Sequence, residues 1–439
     1  MTISEYVLRA KLAESLAAPR RALTRRDLRL PLLPGKALAV IGVRRGGKTS
    51  VLAYERNRRI DAGQPAPSQL LLSFEDDRLL GVSASDVSWL LDEHARQFPD
   101  LRAREPLTLY LDEIQIVANW ESLARRLIDS GTVELFLSGS SAKLLSREIA
   151  TSLRGRALDV TLYPFSFREA LRHAGHEPDT PYAQLPPAKR AHLDAALRSY
   201  LVEGGFPEAQ GIDARDRTYL LRSYIDVMVL RDVIERHAIS NVTALRWLER
   251  HLLANPGGAF SVSKAWNTAK SQGLAIGKDA MYDFLAYLED AFLVRTVAMQ
   301  STSERQRMVN PRKAYPIDPA LIPLFERSGR TQHGRTLETV VALELFRRGC
   351  DITYVRSADD TEVDFLAERV GEPPMLVQVA LEISEPDTRA RELRGLESAR
   401  TRFPDATCWL ITRDGTPPST ALPEWIQWAP AAQWLLDAW

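Results

Sequence analysis

Short apolar runs recur through the first 140 residues and are separated by stretches of helical composition. Runs without alternating polar positions are typical of strands buried on both faces of a parallel sheet. The first run, "ALAVIG", ends in glycine, and "KTSVLAYERNRRI" after the turn has helical composition. This order predicts a strand, a glycine-rich turn and a helix. The pattern therefore predicts an α/β domain whose strands lie within residues 37–42, 69–76, 107–112 and 133–141.

The hydrophobic pattern becomes helical after "PFSF" at residues 164–167. A proline-rich segment, residues 176–190, indicates a domain boundary or a lid connection, and helical patterns continue from about residue 190 to 255. A helix, a turn at Gly273, a second amphipathic helix, the strand-like "LVRTVAM" and a polar wing then follow. This order predicts a winged helix-turn-helix.

A third pattern begins near Arg335, with one helix, three strands in succession, a further helix and a further strand. We therefore expect three domains: an α/β domain with an N-terminal helix over residues 1–170, a helical lid and winged helix over 171–330, and a small α/β domain over 331–439. A chain of 439 residues supports several domains, because single cores stop growing beyond roughly 250–300 residues.

The composition is that of an ordinary globular protein and does not identify a binding partner. The chain is 45% hydrophobic and 26% charged with no formal net charge, so any basic surface must be local. Cys350 and Cys408 lack the spacing of a disulfide framework or a zinc site. No apolar run approaches 18 residues and the N-terminus is unlike a signal peptide, so we expect a soluble, cytoplasmic protein without a membrane partner.

The turn after the first strand carries the spacing of a phosphate-binding loop. Glycines let backbone N–H groups surround phosphate oxygens, a lysine reaches the β- and γ-phosphates, and a hydroxyl ligates magnesium. A surface turn rich in arginine and glycine is the alternative interpretation of this pattern alone. The candidate nucleotide-binding residues are Gly42, Arg44, Arg45, Gly46, Gly47, Lys48, Thr49 and Ser50, with Thr49 also a candidate metal ligand.

Acidic and hydroxyl residues end two later strands. Asp112 and Glu113 follow a buried strand, and ligands of open α/β sheets bind at the carboxyl ends of strands. We expect Asp112 to hold magnesium and Glu113 to polarise the attacking water, although an ordinary acidic pair at a strand end would look the same alone. Ser138 or Ser140, at the end of the next run, is the candidate sensor of the γ-phosphate.

Several ordered motifs make the chain resemble a bacterial family of AAA-type ATP-binding proteins with a C-terminal half of unassigned function. The motifs are "RRGGKTS", "LDEIQIVANWE", "LSGSSAKLLSREIATSLRGR", "LYPFSFREAL", "YLVEGGFPEA" and "LRDVIERHAI". The resemblance implies an ASCE-type P-loop core with an additional strand between the two nucleotide motifs, ATP and Mg²⁺ as cofactors, and "LRGR" as the arginine-bearing segment.

Two pairs of arginines are candidates for contact with phosphate. Arg154 or Arg156 would stabilise charge in the transition state as an arginine finger, and from a neighbouring subunit it would couple hydrolysis to assembly. A surface loop paired with acids is the alternative. Arg44 and Arg45 are rival candidates, either for phosphate or for ion pairs with Asp76 and Asp77.

Basic residues around the expected winged helix are candidates for DNA contact, although nearby acidic side chains dilute their charge. Protein docking is the other common use of such a module. The candidates are Lys264, Lys270, Lys278, Arg295, Arg305, Arg307, Arg312 and Lys313.

The C-terminal pattern resembles the core of PD-(D/E)XK nucleases, in which a helix Glu, a strand Asp and an (E/Q)xK pair gather magnesium. Glu338, Asp364 and Gln378 match the first three positions, but Ala380 stands where the resemblance implies lysine. We therefore expect a vestigial site that holds magnesium weakly and does not cut DNA, unless Arg389 or Arg391 replaces the cation.

These features favour an oligomeric ATPase, with a ring as one arrangement, that moves or remodels duplex or branched DNA. The alternative is a signalling or scaffold NTPase whose nucleotide state switches contacts with a protein partner. An ATP-regulated nuclease is disfavoured by Ala380.

Overall fold

The chain forms two compact units, Met1–Tyr163 and Pro164–Trp439, in a computed structural model. The structure describes residues 3–101, 106–139, 153, 155–309, 311–326, 333–357, 361–415 and 421–437. The first unit corresponds to the predicted α/β domain and ends slightly earlier than expected. The segments 171–330 and 331–439, predicted as separate domains, belong to one unit.

The first unit contains a parallel sheet of five strands in the order β2-β3-β4-β1-β5. Strand β4 pairs with both β1 and β3, and is thus the additional strand that the resemblance implied. The strands are β1 (Ala37–Gly42), β2 (Gln69–Ser73), β3 (Leu107–Asp112), β4 (Val133–Gly139) and β5 (Ala157–Leu162). Among the described residues of this unit the α-helices are α1 (Glu5–Ala17), α2 (Lys48–Asp61), α3 (Ala84–Gln97) and α4 (Trp120–Asp129).

Burial explains why the central strands have mostly apolar sequences without alternating polar positions. Every residue of β1 and β3 is buried, because the central strands of a parallel sheet are covered on both faces. Leu38 and Val40 of β1 pack in one cluster with Leu52 of α2 and with the stacked rings of Tyr110 and Phe136. The parallel α/β fold of this unit is confirmed, and β1, β3 and β4 end at one edge of the sheet.

The second unit is built on a mixed sheet of eight strands in the order β13-β12-β11-β10-β9-β7-β8-β6. Strand β7 pairs in parallel with β9 through Ala298 and Thr353, so the sheet continues across the predicted boundary near residue 330. The pairing satisfies backbone N–H and C=O groups that a separate C-terminal domain would leave at an open edge. The strands are β6 (Ala259–Phe260), β7 (Val294–Met299), β8 (Arg312–Pro316), β9 (Asp351–Arg356), β10 (Glu362–Glu368), β11 (Met375–Ala380), β12 (Thr407–Thr412) and β13 (Ile426–Pro430).

The helices of the second unit follow the predicted order, with a π-helical segment, Val229–Glu235, continuing directly from the helix Ala214–Met228. The predicted polar wing contains a short helix, Glu304–Val309. The helices are α5 (Phe167–His173), α6 (Pro187–Glu203), α7 (Ala214–Met228), α8 (Val242–Ala254), α9 (Val262–Ser271), α10 (Lys278–Asp290), α11 (Glu304–Val309), α12 (Ile322–Phe325), α13 (His333–Arg347), α14 (Pro386–Arg402) and α15 (Ala431–Leu436).

Within the described ranges, no helix has both the length and the apolar composition of a membrane span.

Candidate nucleotide-binding site and a second carboxylate cluster

Two glycines shape the turn between β1 and α2. Gly42 has φ +150°, and a Cβ atom there would lie 2.1 Å from the carbonyl oxygen of Leu162. Gly47, the residue before α2, has φ +97°, in the left-handed region that glycine tolerates best. The turn therefore leads directly into the N-terminus of α2, whose first N–H groups and helix dipole favour a bound anion.

The side chain of Lys48 folds back over this loop. It is 6% exposed, and its Nζ donates hydrogen bonds to the carbonyl oxygens of Gly42 at 3.1 Å and Val43 at 3.0 Å. The ammonium group thus lies at the concave side of the turn, where a phosphate-binding lysine is needed.

Arg26, which sequence reasoning missed, holds the same loop from an irregular segment before β1. Its Nη1 donates to the carbonyl of Gly46 at 3.0 Å and its Nη2 to the carbonyl of Tyr163 at 2.6 Å. No motif marks an isolated arginine in a loop, so only the fold reveals this contact.

Asp112 lies beside the loop at the end of β3. Its Oδ2 accepts a hydrogen bond from the Thr49 hydroxyl at 2.9 Å, and its Oδ1 accepts one from Ser138. Burial raises the pKa of Asp112, the Ser138 hydrogen bond lowers it and repulsion from Glu113 raises it, with a net upward shift. A carboxylate and a hydroxyl side by side fit a hard cation such as Mg²⁺.

Glu113 follows with a left-handed backbone, φ 55° and ψ 46°. Its N–H donates to the Ser138 hydroxyl at 3.3 Å, and the Gln115 amide donates to its carboxylate. A non-glycine residue in this conformation costs on the order of 1–3 kcal/mol, which surrounding contacts must offset. Ser138 therefore contacts both acids, whereas the other sensor candidate, Ser140, lies outside the described residues.

The structure places Arg44 and Arg45 in the phosphate loop and Arg156 far from it. Arg156 directly precedes β5, at the edge of the sheet opposite the phosphate loop, and pairs with Asp129 at 2.9 Å. Six strand residues separate the two edges, which corresponds to roughly 17–20 Å. Arg154 lies outside the described residues. Arg44 is half-buried and Arg45 exposed in the loop, while Asp76 binds Lys11 and Arg78.

The candidate DNA contacts differ in exposure. Lys264 and Lys270 on α9, Lys278 at the start of α10 and Arg305 are exposed. Arg295, Arg307 and Arg312 are half-buried. Lys313 is not available to DNA because it is 3% exposed inside the second unit.

The three predicted residues of the C-terminal site do come together. Glu338 on α13, Asp364 on β10 and Gln378 on β11 line one cavity of about 810 Å³, together with Ala380. Burial, together with repulsion from Asp364, raises the pKa of Glu338 to about 7. The two arginine candidates have other partners: Arg389 donates to the carbonyl of Ala421, and Arg391, which lines the same cavity, pairs with Glu392.

Sequence reasoning missed two further members of this cluster. Lys313 on β8 contacts Glu338 and Asp364, and Glu362 lies two residues before Asp364 on the same face of β10. The alternation of "TEVDFL" is a signal that predicts the placement of Glu362. Nothing in the sequence connects Lys313 with acids 25 and 51 positions further along.

One family model matches most of the first unit, and another matches part of the second. Residues 34–171 match the model of an AAA domain, and residues 194–329 match a domain of unknown function, DUF8612. The chain is 34% identical to the uncharacterized protein MJ1544 of Methanocaldococcus jannaschii over 379 residues, covering 85% of this chain and 81% of that protein.

A second relative is an uncharacterized protein of Haemophilus influenzae, 29% identical over 79% of this chain and 82% of its own length. Among solved structures, the Walker-type ATPase PABY2304 of Pyrococcus abyssi aligns with 74% of this chain and 96% of its own, at 14% identity and a TM-score of 0.41.

Proposed function

Because this chain belongs to the protein family of MJ1544 from Methanocaldococcus jannaschii and residues 34–171 form an AAA domain, we propose that it binds ATP with Mg²⁺ and hydrolyses it. The observation that carries the proposal is the convergence of Thr49, Asp112, Ser138 and Glu113 beside the phosphate loop.

Each residue has a role that follows from its position. The N–H groups of the loop and of the first turn of α2 bind phosphate oxygens, and Lys48 neutralises charge on the β- and γ-phosphates. Asp112 and Thr49 would hold Mg²⁺, which supplies neutralisation of charge developing on the phosphate oxygens. Glu113 orients the attacking water and accepts its proton, while Ser138 fixes the position of both acids.

Two substitutions separate binding from chemistry. Lys48→Ala should abolish or severely weaken ATP binding. Glu113→Gln should still bind ATP but hydrolyse it on the order of 100-fold more slowly, because only water activation is lost. Calorimetry with a non-hydrolysable ATP analogue and phosphate release measure the two effects.

Asp61→Asn is the matched control, because Asp61 lies at the far end of α2 from the phosphate loop and pairs with Arg20. It should leave both quantities unchanged. Equal losses of affinity in Lys48→Ala and Glu113→Gln would refute the assigned roles.

A second proposal concerns the substrate on which ATP energy acts. We propose that an oligomer of this chain moves or remodels DNA, supported by the exposed cations Lys264, Lys270 and Lys278. On α10 itself the exposed Asp279 and Asp283 oppose insertion into a DNA groove, so α9 is the better candidate surface. The same acids favour the alternative, in which this region docks a protein partner.

DNA binding should weaken with salt because neutralised phosphates release counterions. Removing Lys264 and Lys270 together should reduce the slope of log affinity against log salt by about two at most. Fluorescence anisotropy with duplex and branched DNA measures this slope, and the exposed Lys189→Ala is the control. No binding at low salt, and no change of ATPase rate with DNA, would favour the protein-partner alternative.

A further inference from the structure

The side chain of Lys313 lies among three carboxylates of the second unit. Its Nζ is 2.9 Å from Oε1 of Glu338, 2.8 Å from Oε1 of Glu362 and 3.1 Å from Oδ1 of Asp364. The ammonium group donates hydrogen bonds to Glu338 and Asp364 and forms an ion pair with Glu362. The Nζ atom therefore stands where a cation shared by these acids would stand.

Two of these acids also accept hydrogen bonds from other donors. The hydroxyl of Tyr315 donates to Oε1 of Glu338 at 2.7 Å, and the N–H of Val379 donates to Oδ2 of Asp364 at 3.0 Å. A divalent cation would have to displace the ammonium group and compete with these donors. Its own bonds to oxygen would be shorter, about 2.0–2.1 Å for Mg²⁺.

The side chain of Gln378, the third expected ligand, is hydrogen-bonded to other groups. Its Oε1 accepts the backbone N–H of Asp364 at 3.3 Å, and its Nε2 donates to the carboxylate of Glu392 at 2.6 Å. Across the described ranges, no group of three or more His, Cys, Asp or Glu side chains is arranged to hold a metal ion. The residues present therefore do not fit the magnesium site that the nuclease resemblance implies.

We propose that Lys313 is a built-in cation that takes the place of a divalent metal, and that it closes this carboxylate cluster to Mg²⁺ and Mn²⁺. The lysine reaches the acids from β8, in the segment before the predicted C-terminal domain. It neutralises part of their charge permanently, which ties β8 to α13 and β10 and makes the cavity independent of metal. Removing the ammonium group uncovers a latent site for a divalent cation.

Binding of Mn²⁺ to the nucleotide-free full chain, measured by electron paramagnetic resonance, tests this proposal. Wild type and Asp364→Asn should bind the same number of Mn²⁺ ions, because the cluster contributes none. Lys313→Met should bind one more ion per chain, and Lys313→Met combined with Asp364→Asn should lose it again. Manganese should also raise the melting temperature of Lys313→Met more than that of wild type.

A Mn²⁺ ion that wild type binds and Asp364→Asn loses would overturn the proposal, and this comparison does not require the Lys313 variant to fold. A folded Lys313→Met chain that gains no ion would overturn it as well. Any ion held by Asp112 is common to all four proteins and cancels in the comparison.

Discussion

At the scale of single residues, two small groups shape the candidate nucleotide site. Ser138 is fully buried and joins Asp112 to Glu113 through one hydroxyl. Gly42 meets the end of β5 so closely that no side chain fits. The charged residues of the site thus work in positions that a serine and a glycine define.

Gly42→Ala should therefore be more harmful than an ordinary glycine substitution. The new Cβ would overlap the Leu162 carbonyl oxygen, so the loop or β5 must shift, at a cost of about 1–3 kcal/mol beyond the backbone effect. We expect lower unfolding free energy by chemical denaturation and loss of ATP binding.

Gly35→Ala is the matched control for this prediction. Gly35 also has a positive φ of +70°, but nothing lies within 4 Å of its Cβ position. Similar losses of stability in the two variants would show that backbone conformation, and not contact with Leu162, limits position 42.

Sequence reasoning predicts the placement of residues that end a strongly apolar strand or lie in a glycine-rich turn. Lys48, Thr49, Asp112 and Ser138 each follow a strand or glycine turn that the hydrophobic pattern reveals, and the structure places them together. Lys313 illustrates the opposite case. A lysine near the start of a short strand resembles a surface residue, and only the assembled fold of the second unit places Lys313, on β8, beside acids of α13 and β10.

At the scale of elements, the irregular segment before β1 supports the phosphate loop. Arg26 bridges the carbonyl of Gly46 in the loop to that of Tyr163, just after β5. Gly42 also lies against the backbone of Leu162. The loop is therefore linked to the end of β5 at two points, directly through Gly42 and indirectly through Arg26. The segment therefore contributes to the shape of the candidate nucleotide site although it lies before the matched AAA domain.

Arg26→Ala should raise the KM for ATP about tenfold, the equivalent of one charged hydrogen bond lost from a loop that must keep its shape, roughly 1.5 kcal/mol. Steady-state ATPase kinetics measure the effect. The exposed Arg29→Ala, three residues along the same segment, should have no effect. An unchanged KM in a folded Arg26→Ala chain would rule out this supporting role.

Elements with strong patterns are predictable, and weakly patterned ones are not. The strands β1, β3, β4 and β12 lie where their apolar runs predict. Strand β5 escaped prediction because its exposed and half-buried positions, such as Asp159, interrupt the apolar run. Strand β13, "IQWAP", is short and contains a proline, which is a weak strand signal.

At the scale of the whole molecule, the position of Arg156 bears on assembly. Within its own first unit it precedes β5 at the edge away from the phosphate loop, so it cannot contact a ligand held by the loop of that unit. If Arg156 is an arginine finger, it must act on a second copy of the chain.

ATPase activity per subunit should then rise with protein concentration. Mixing Arg156→Ala with Glu113→Gln chains, each inactive alone, should partly restore hydrolysis, because one mixed interface contains both intact residues. Phosphate release at several mixing ratios measures this. Asp129→Asn is the control, since it frees Arg156 from its pairing in the same chain and should not abolish activity. An ATPase whose rate per subunit is independent of concentration would contradict the prediction.

The parallel pairing of β7 with β9 has a consequence for how this protein can be divided. Residues 331–439 expressed alone would carry β9 with a bare row of backbone donors and acceptors, and its buried Ile352, Tyr354 and Val355 would adjoin that open edge. Such an edge recruits other strands, so the fragment should self-associate into aggregates. Residues 331–439 are therefore not an independent domain. A chimaera with a related protein should exchange β7 and β8 together with them.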